Sequence, residues 1–212
     1  MSRIQEIDQL IQQGRGKKVC ETIQAAMDEG ISAADILREG MLPAMSAIGE
    51  KFKNNEVFVP EVLVAARAMN MGMALLKPYM ADCGIEPAGT AVIGTVRGDM
   101  HDIGKNLVKI MLEGSGVEVV DLGVDVTPEQ FVETAQRESC GIIACSSLLT
   151  TTMQEMRRVV ALAEEKGIRD RVKIFVGGAP ISQSFCDEIG ADVYTEDAAS
   201  AARAAVEALN RA

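Results

Sequence analysis

The sequence is poor in the residues that most often build catalytic or metal sites. Its 212 residues include no tryptophan and a single histidine, and aromatic residues make up only 3%. The buried core must therefore be aliphatic, and no second histidine can complete a conventional metal cage. The five cysteines are scattered and form no Cys-x-x-Cys pair, which argues against structural zinc and disulfides and favours a reducing compartment.

Positive charge and long apolar runs are also scarce. Lysine and arginine total 21 against 31 acidic residues, which gives a formal net charge of −10. An acidic surface argues against nucleic acid or an anionic membrane as the main partner. We find no 18-residue apolar run and no apolar core of a signal peptide in MSRIQEIDQLI, so we expect a cytoplasmic protein without a membrane span.

Hydrophobic periodicity changes along the chain. Residues 1–84 carry four stretches with apolar residues at helical spacing, and the first stretch shows the pattern with Ile4, Ile7, Leu10 and Ile11. Pro43 is expected to split or kink the third helix. Short loops between four helices predict a small helical bundle, and residues 85–90 have the composition of a linker.

In residues 91–212, short apolar runs alternate with helical patterns. The first run, TAVIGTV, is continuously apolar, as in a strand buried on both faces, and four more runs are predicted as strands: VEVVDLG, GIIACS, VKIFVGG and ADVYTE. Five alternations predict an α/β domain with a doubly wound parallel sheet of the flavodoxin or Rossmann-like kind. Such sheets bind ligands at the carboxyl ends of their strands, where the strand order reverses.

The stretch RGDMHDIGKNL, directly after the first predicted strand, holds the only histidine. Asp99 is placed to accept a hydrogen bond from one ring nitrogen of His101, which would fix the tautomer and raise the basicity of the other nitrogen. Histidines that bind metals have this arrangement. The alternative interpretation of His101 is an exposed loop histidine or a helix cap. A single protein ligand points to a metal that brings its own equatorial ligands in a macrocycle.

The same stretch resembles the Asp-x-His-x-x-Gly signature of cobalamin-binding domains, from Asp99 to Gly104. Ser146-Ser147-Leu148 and Gly177-Gly178 stand where that family has a Ser-x-Leu and a Gly-Gly element, each after a predicted strand. In the helical half, FVPEV and GEKFKNNEVF also fit. The whole chain is similar to the corrinoid proteins of three-component methyltransferase systems and to the cap and cobalamin domains of methionine synthase.

The resemblance implies a specific site in residues 91–212, with residues 1–84 as a helical cap. His101 would be the lower axial ligand of cobalt, replacing the cofactor's dimethylbenzimidazole in a base-off/His-on complex. Asp99 would orient His101, and Ser146 would extend this relay. The freed nucleotide tail would occupy a slot lined by Gly104, Ser146, Leu148, Thr150, Gly177 and Gly178. Candidates to shield the upper face of the corrinoid, with ordinary bundle core as the alternative, are Phe58, Val62, Met69 and Met73.

The resemblance further implies a corrinoid-carrying methyl shuttle of one-carbon metabolism that is not catalytic by itself. A substrate-specific methyltransferase would place a methyl group on Co(I). A second methyltransferase would pass it from methyl-Co(III) to tetrahydrofolate or coenzyme M, and a reductive activator would restore Co(I). The sequence leaves open whether the donor is methanol, a methylamine, a betaine or an aryl methyl ether.

Three other functions remain open. A cobalamin-dependent sensor or transcription regulator would need a DNA-binding module, and none is visible in the sequence. The cobalamin-binding subunit of a carbon-skeleton mutase would not need the helical half. A flavodoxin-like domain could also bind a different ligand, and a visible spectrum separates it from a coloured corrinoid protein.

Overall fold

The structure is a computed structural model that describes residues 2–82 and 87–210, without the side chains of residues 80–82. The chain divides into two compact units. One comprises Met1–Pro87 with Gly114–Gly116, and the other comprises Ala88–Glu113 with Val117–Ala212.

The first unit is helical, as predicted. Ser2 begins the first helix by accepting a hydrogen bond from the backbone N–H of Gln5, whose side chain bonds back to the Ser2 N–H. Ser32 caps the third helical segment through the N–H of Asp35. The elements are α1 (Arg3–Gln12), α2 (Gly16–Asp28), α3 (Ala33–Asp35), a π-helical turn (Ile36–Met41), α4 (Leu42–Lys53) and α5 (Val59–Asp82).

Pro43 was predicted to split or kink the third helix, and it does not split it. The chain stays helical from Ala33 to Lys53 and passes through the π-helical turn just before the proline. In that turn the Leu42 N–H donates to the Leu37 carbonyl, five residues back rather than four. Proline has no N–H and crowds the preceding turn, and the wider π turn accommodates it without ending the helix.

Helix α5 forms part of the core of this unit. Val62, Ala65, Met69 and Leu76 are fully buried and recur at the spacing of one helix face. The stretch Val59–Tyr79 is long and apolar enough to cross a membrane by length and composition, and 39% of its apolar 18-residue window is buried. Core helices of water-soluble proteins meet the same criterion, so this is weak evidence for a membrane span.

The second unit contains the predicted five-stranded parallel sheet. The strand order is β2-β1-β3-β4-β5 and every pairing is parallel, which confirms the doubly wound fold. The strands are β1 (Thr90–Thr95), β2 (Glu118–Asp121), β3 (Ile142–Ser146), β4 (Lys173–Gly177) and β5 (Val193–Tyr194). The helices are α6 (Ile103–Gly114), α7 (Pro128–Arg137), α8 (Gln154–Glu165), α9 (Gln183–Ile189) and α10 (Ala198–Leu209), with a 3₁₀ turn at Arg169–Arg171.

The central strands are apolar because helices cover both faces of the sheet. Val92, Ile143 and Ile174 are fully buried in β1, β3 and β4. Phe131 of α7 packs directly on β1 at Gly94, where a Cβ would lie 2.9 Å from the phenyl ring. Gly94 therefore sets the distance at which this helix packs on the sheet.

The strand order creates a crevice at one end of the sheet. β1 and β3 are neighbours, yet the chain leaves β1 towards β2 on one side and leaves β3 towards β4 on the other. Loops that diverge in this way leave an opening between them at the carboxyl ends of the strands, which is where doubly wound sheets bind ligands.

Candidate functional site

The loop after β1 places a buried carboxylate beneath an exposed imidazole. The Asp99 side chain is fully buried, whereas that of His101 is 51% exposed. Asp99 Oδ1 accepts the backbone N–H of His101 at 3.0 Å and lies 2.6 Å from the ring nitrogen Nδ1. Asp99 Oδ2 accepts the backbone N–H groups of Leu148 and Leu149 at 2.7 and 3.2 Å. One carboxylate thus ties the loop after β1 to the loop after β3.

These contacts keep Asp99 charged and select the tautomer of the His101 ring. Burial alone would raise the pKa of the Asp99 carboxyl, but the hydrogen bonds from His101, Leu148 and Leu149 outweigh it and hold that pKa far below its usual range. Asp99 is therefore ionised at neutral pH and only accepts hydrogen bonds. A carboxylate next to Nδ1 keeps a proton on that nitrogen, so the lone pair of the neutral ring lies on Nε2.

The hydroxyl groups of Thr152 and Ser147, two residues that were not predicted, complete the surroundings of Asp99. Thr152 Oγ1 lies 3.2 Å and Ser147 Oγ 3.4 Å from Asp99 Oδ2, and the two hydroxyls are 2.9 Å apart. Ser146 is the last residue of β3 and pairs in the ladder with Gly177. The hydrogen bonds from His101 to Asp99 therefore continue to Thr152 and Ser147, and the role of Ser146 stays a prediction.

Another residue that was not predicted from the sequence, Thr95, fixes the backbone at His101. Thr95, the last residue of β1, is fully buried, and its Oγ1 donates a 2.8 Å hydrogen bond to the carbonyl of His101. The sequence feature that could have predicted this contact is a hydroxyl residue at the end of an otherwise apolar strand. For Thr152, the signal was the run of three threonines after β3.

Exposed apolar side chains flank the imidazole on both loops. Met100 and Ile103 are 67% and 79% exposed on the loop after β1 and the start of α6, and Leu148 and Leu149 are 44% and 39% exposed on the loop after β3. Of these four residues, only Leu148 was predicted as part of the site. A nitrogen lone pair among exposed apolar groups fits a flat, largely apolar ligand that carries a metal.

The predicted slot glycines lie at the same end of the sheet but differ in their surroundings. At Gly178 the backbone φ is +130° and a Cβ would lie 1.8 Å from the Ser147 carbonyl oxygen, so the protein's own packing requires glycine. At Gly104 a Cβ would meet nothing within 4 Å, and at Gly177 only the Thr195 carbonyl at 3.9 Å. The space at Gly104 and Gly177 is therefore free for a ligand.

The four predicted upper-face residues belong to the helical unit. Val62 and Met69 are fully buried, which is typical of bundle core, the alternative considered for them. Met73 is partly buried, and Phe58 at the start of α5 is 63% exposed. The exposed ring of Phe58 is therefore the most accessible of the four side chains.

Two family models match this chain. Both are described as B12 binding domains, and they match residues 89–206 and residues 3–77. Among residues 2–82 and 87–210, no group of three or more histidine, cysteine, aspartate or glutamate side chains could hold a metal ion.

Curated proteins and solved structures are similar over nearly the whole chain. A corrinoid protein of Desulfitobacterium hafniense is 40% identical over 100% of this chain and 99% of its own length. Trimethylamine corrinoid protein 1 of Methanosarcina acetivorans is 45% identical over 84% of this chain and 83% of its own. The crystal structure of the methanol:cobalamin methyltransferase complex of Methanosarcina barkeri matches with a TM-score of 0.87 and 31% identity, over 99% of this chain and 80% of that one.

Proposed function

Because this chain belongs to the B12-binding corrinoid proteins of methyltransferase systems, we propose that it holds its corrinoid through His101. Its relatives include trimethylamine and dimethylamine corrinoid proteins, and the chain is a corrinoid-carrying methyl shuttle rather than a sensor or a mutase subunit. The single observation that carries the His101 assignment is the exposed imidazole whose Nδ1 lies 2.6 Å from a buried carboxylate.

When bound, the corrinoid supplies a cobalt centre that accepts and releases the methyl group. The protein's part is to hold, orient and shield that group. In the proposed base-off/His-on complex, Nε2 of His101 would hold the cobalt. Asp99 keeps the proton on Nδ1, and Thr95 fixes the loop by donating to the His101 carbonyl. Fixing the ring before the ligand arrives lowers the entropic cost of binding.

The remaining contacts are assigned to two groups of residues. Slot residues for the nucleotide tail are Gly104, Ser146, Leu148, Thr150, Gly177 and Gly178, and the unfilled space beside Gly104 and Gly177 supports this assignment. Phe58 and Met73 are better candidates for the upper face than Val62 and Met69, which are fully buried. The boundaries at residues 84 and 91 stay predictions.

Methyl transfer needs partner enzymes. Methyl groups on alcohols and amines have poor leaving groups, so a substrate methyltransferase must supply the acid or the metal that activates them. We further propose a second methyltransferase that acts on tetrahydrofolate or coenzyme M, a reductive activator, and a location in the cytoplasm. The names of the relatives make methylamines and methanol the first donors to test.

The first experiment tests the ligand. The protein is labelled with ¹⁵N-histidine, loaded with hydroxocobalamin and reduced to Co(II), and its EPR spectrum should show superhyperfine coupling to one ¹⁵N nucleus, since His101 is the only histidine. His101→Ala should lose the ¹⁵N coupling, and any coupling left in that variant comes from the ¹⁴N of the cofactor's own base. Asp102→Asn is the matched control, because Asp102 also neighbours His101 but its carboxylate accepts from the Asn106 side chain at 3.0 Å. Coupling to ¹⁴N instead of ¹⁵N in the labelled wild type would overturn the assignment.

The second experiment tests the need for a partner. The loaded protein is reduced to Co(I) without oxygen and mixed with methanol, trimethylamine or dimethylamine, with and without the matching methyltransferase. Demethylation should occur only when the enzyme is present. Turnover at the same rate without the enzyme would show that the chain is itself the catalyst.

A further inference from the structure

Three residues other than glycine have a left-handed backbone within the described part of the chain: Asn55 at φ 58°, Asp125 at 56° and Ser139 at 52°. This conformation costs free energy in residues with a side chain, so each case calls for a cause. Asn55 and Ser139 follow the ends of α4 and α7, and their neighbours make the backbone hydrogen bonds that end helices in this conformation. Helix termination explains these two residues.

Asp125 ends no helix. It lies between β2 and α7, and both its backbone and its side chain reach the loop that carries the imidazole. Its N–H donates to the Asp99 carbonyl at 3.1 Å, and its Oδ1 accepts the Gly98 N–H at 2.7 Å. The left-handed backbone of Asp125 thus coincides with a two-point contact on consecutive residues, two and three positions before His101.

We propose that Asp125 is a positioning residue that sets the orientation of the His101 ring through Asp99. The loop after β3 holds the Asp99 carboxylate, whereas Asp125 holds the backbone of the two residues Gly98 and Asp99, the first through its carboxylate and the second through its N–H. Both must be fixed for the carboxylate to meet Nδ1 at 2.6 Å. The effect on cofactor binding rests on the proposed function, but the effect on the ring does not.

The segment that carries Asp125 is itself anchored to the protein core. Asp121, at the end of β2, accepts from the Lys105 ammonium at 2.6 Å and from the Gly123 N–H at 2.9 Å. The Gly123 carbonyl accepts the Thr95 N–H at 2.9 Å. The Lys105 side chain is only 3% exposed, so its half of this ion pair is shielded from water. Asp125 therefore acts from a fixed support rather than from a free loop.

The test uses the cofactor-free protein and its single histidine, so a ¹⁵N-histidine label gives one set of ring signals. In the wild type the neutral ring should carry its proton on Nδ1. Asp125→Gly permits the left-handed backbone but removes the carboxylate that accepts the Gly98 N–H. The variant should therefore shift the tautomer balance of the His101 ring towards the form protonated on Nε2. Asp125→Asn should restore the wild-type spectrum, because an amide oxygen accepts the same bond and asparagine tolerates this backbone.

Ser139→Gly is the matched control, since it relieves the same backbone strain away from the histidine loop, and its ring spectrum should equal the wild type. A wild-type ring spectrum in Asp125→Gly would overturn the proposal. Should Asp125→Gly not fold, as judged by thermal unfolding, Asp125→Ser replaces it with the same expectations, because a serine hydroxyl is too short to keep the 2.7 Å contact with Gly98.

A second readout uses the loaded protein. Residues that orient a metal-ligating histidine typically change metal affinity about 10- to 100-fold, and because Asp125 acts through Asp99 we expect about tenfold weaker hydroxocobalamin binding in Asp125→Gly. Equal affinity in Asp125→Gly and the wild type would count against the proposal. Failure of the wild type to bind would refute the proposed function alone, and the ring spectra would still decide the role of Asp125.

Discussion

Replacing Gly104 by alanine should move stability and corrinoid binding in opposite directions. Gly104 is the second residue of α6, its backbone is outside the left-handed region, and a Cβ there would meet nothing within 4 Å. Alanine restricts the unfolded chain without straining the folded one, which stabilises a protein by about 0.4–1 kcal/mol. The midpoint of thermal unfolding of the cofactor-free protein should rise by about 1–4 °C.

The same methyl group should weaken binding if the corrinoid fills the space beside Gly104. Forcing an extra carbon into a filled contact costs about 1–3 kcal/mol. At 1.4 kcal/mol per factor of ten, this corresponds to a loss of affinity of about 5- to 150-fold. Titration of the cofactor-free protein with hydroxocobalamin, followed by the visible spectrum, measures the change.

Gly178→Ala provides the contrast. There the Cβ would lie 1.8 Å from the Ser147 carbonyl oxygen at a φ of +130°, so the variant should unfold at a lower temperature before any ligand is added. Wild-type affinity in Gly104→Ala would show that no ligand lies beside α6 at that point. A fall in its unfolding temperature would show that the space beside Gly104 is not free.

Three further changes have expected outcomes. His101→Ala should leave the unfolding temperature nearly unchanged, because its side chain is 51% exposed, while hydroxocobalamin affinity falls; an unchanged affinity would contradict the ligand assignment. Asp99→Asn should weaken binding about 10- to 100-fold. Because the pKa of Asp99 is lower in the folded protein, its carboxylate stabilises the wild type fully above the ordinary aspartate pKa of about 3.9. This stabilisation is lost as the pH falls further. Urea unfolding at a series of pH values should therefore show that acid lowers the free energy of unfolding less in Asp99→Asn than in the wild type. Lys105→Met should lower the free energy of unfolding by up to about 3 kcal/mol, which is the lower end of the cost of breaking a buried ion pair. The lower end applies because Asp121 is 21% exposed, and an unchanged urea midpoint would refute the prediction.

The architecture could be predicted because it depends on patterns that span many residues. Continuous apolar runs identify the central strands, since β1, β3 and β4 are covered on both faces. The alternation of strands with helices then leaves few topologies for a parallel sheet. The order β2-β1-β3-β4-β5 is one of these, and it places the histidine loop at the crevice.

Details that depend on one residue of register could not be predicted. Whether Ser146 or Ser147 reaches Asp99 depends on where β3 ends, and neighbouring residues of a strand point to opposite faces. The sequence does not reveal which of the three threonines at 150–152 turns inward. The π-helical turn before Pro43 was missed for a similar reason, because proline shows that a helix must adjust but not how.

The position of Asp99 between two loops has a consequence for how such a chain evolves. Its carboxylate accepts from the loop after β1 through one oxygen and from the loop after β3 through the other. A substitution that moves either loop therefore alters the fit of the other, although 49 residues separate Asp99 from Leu148 in the sequence. The two loops should change together among relatives, with substitutions at Thr152 or Ser147 compensated on the histidine side, whereas the strands between them can vary within the limits of apolar packing.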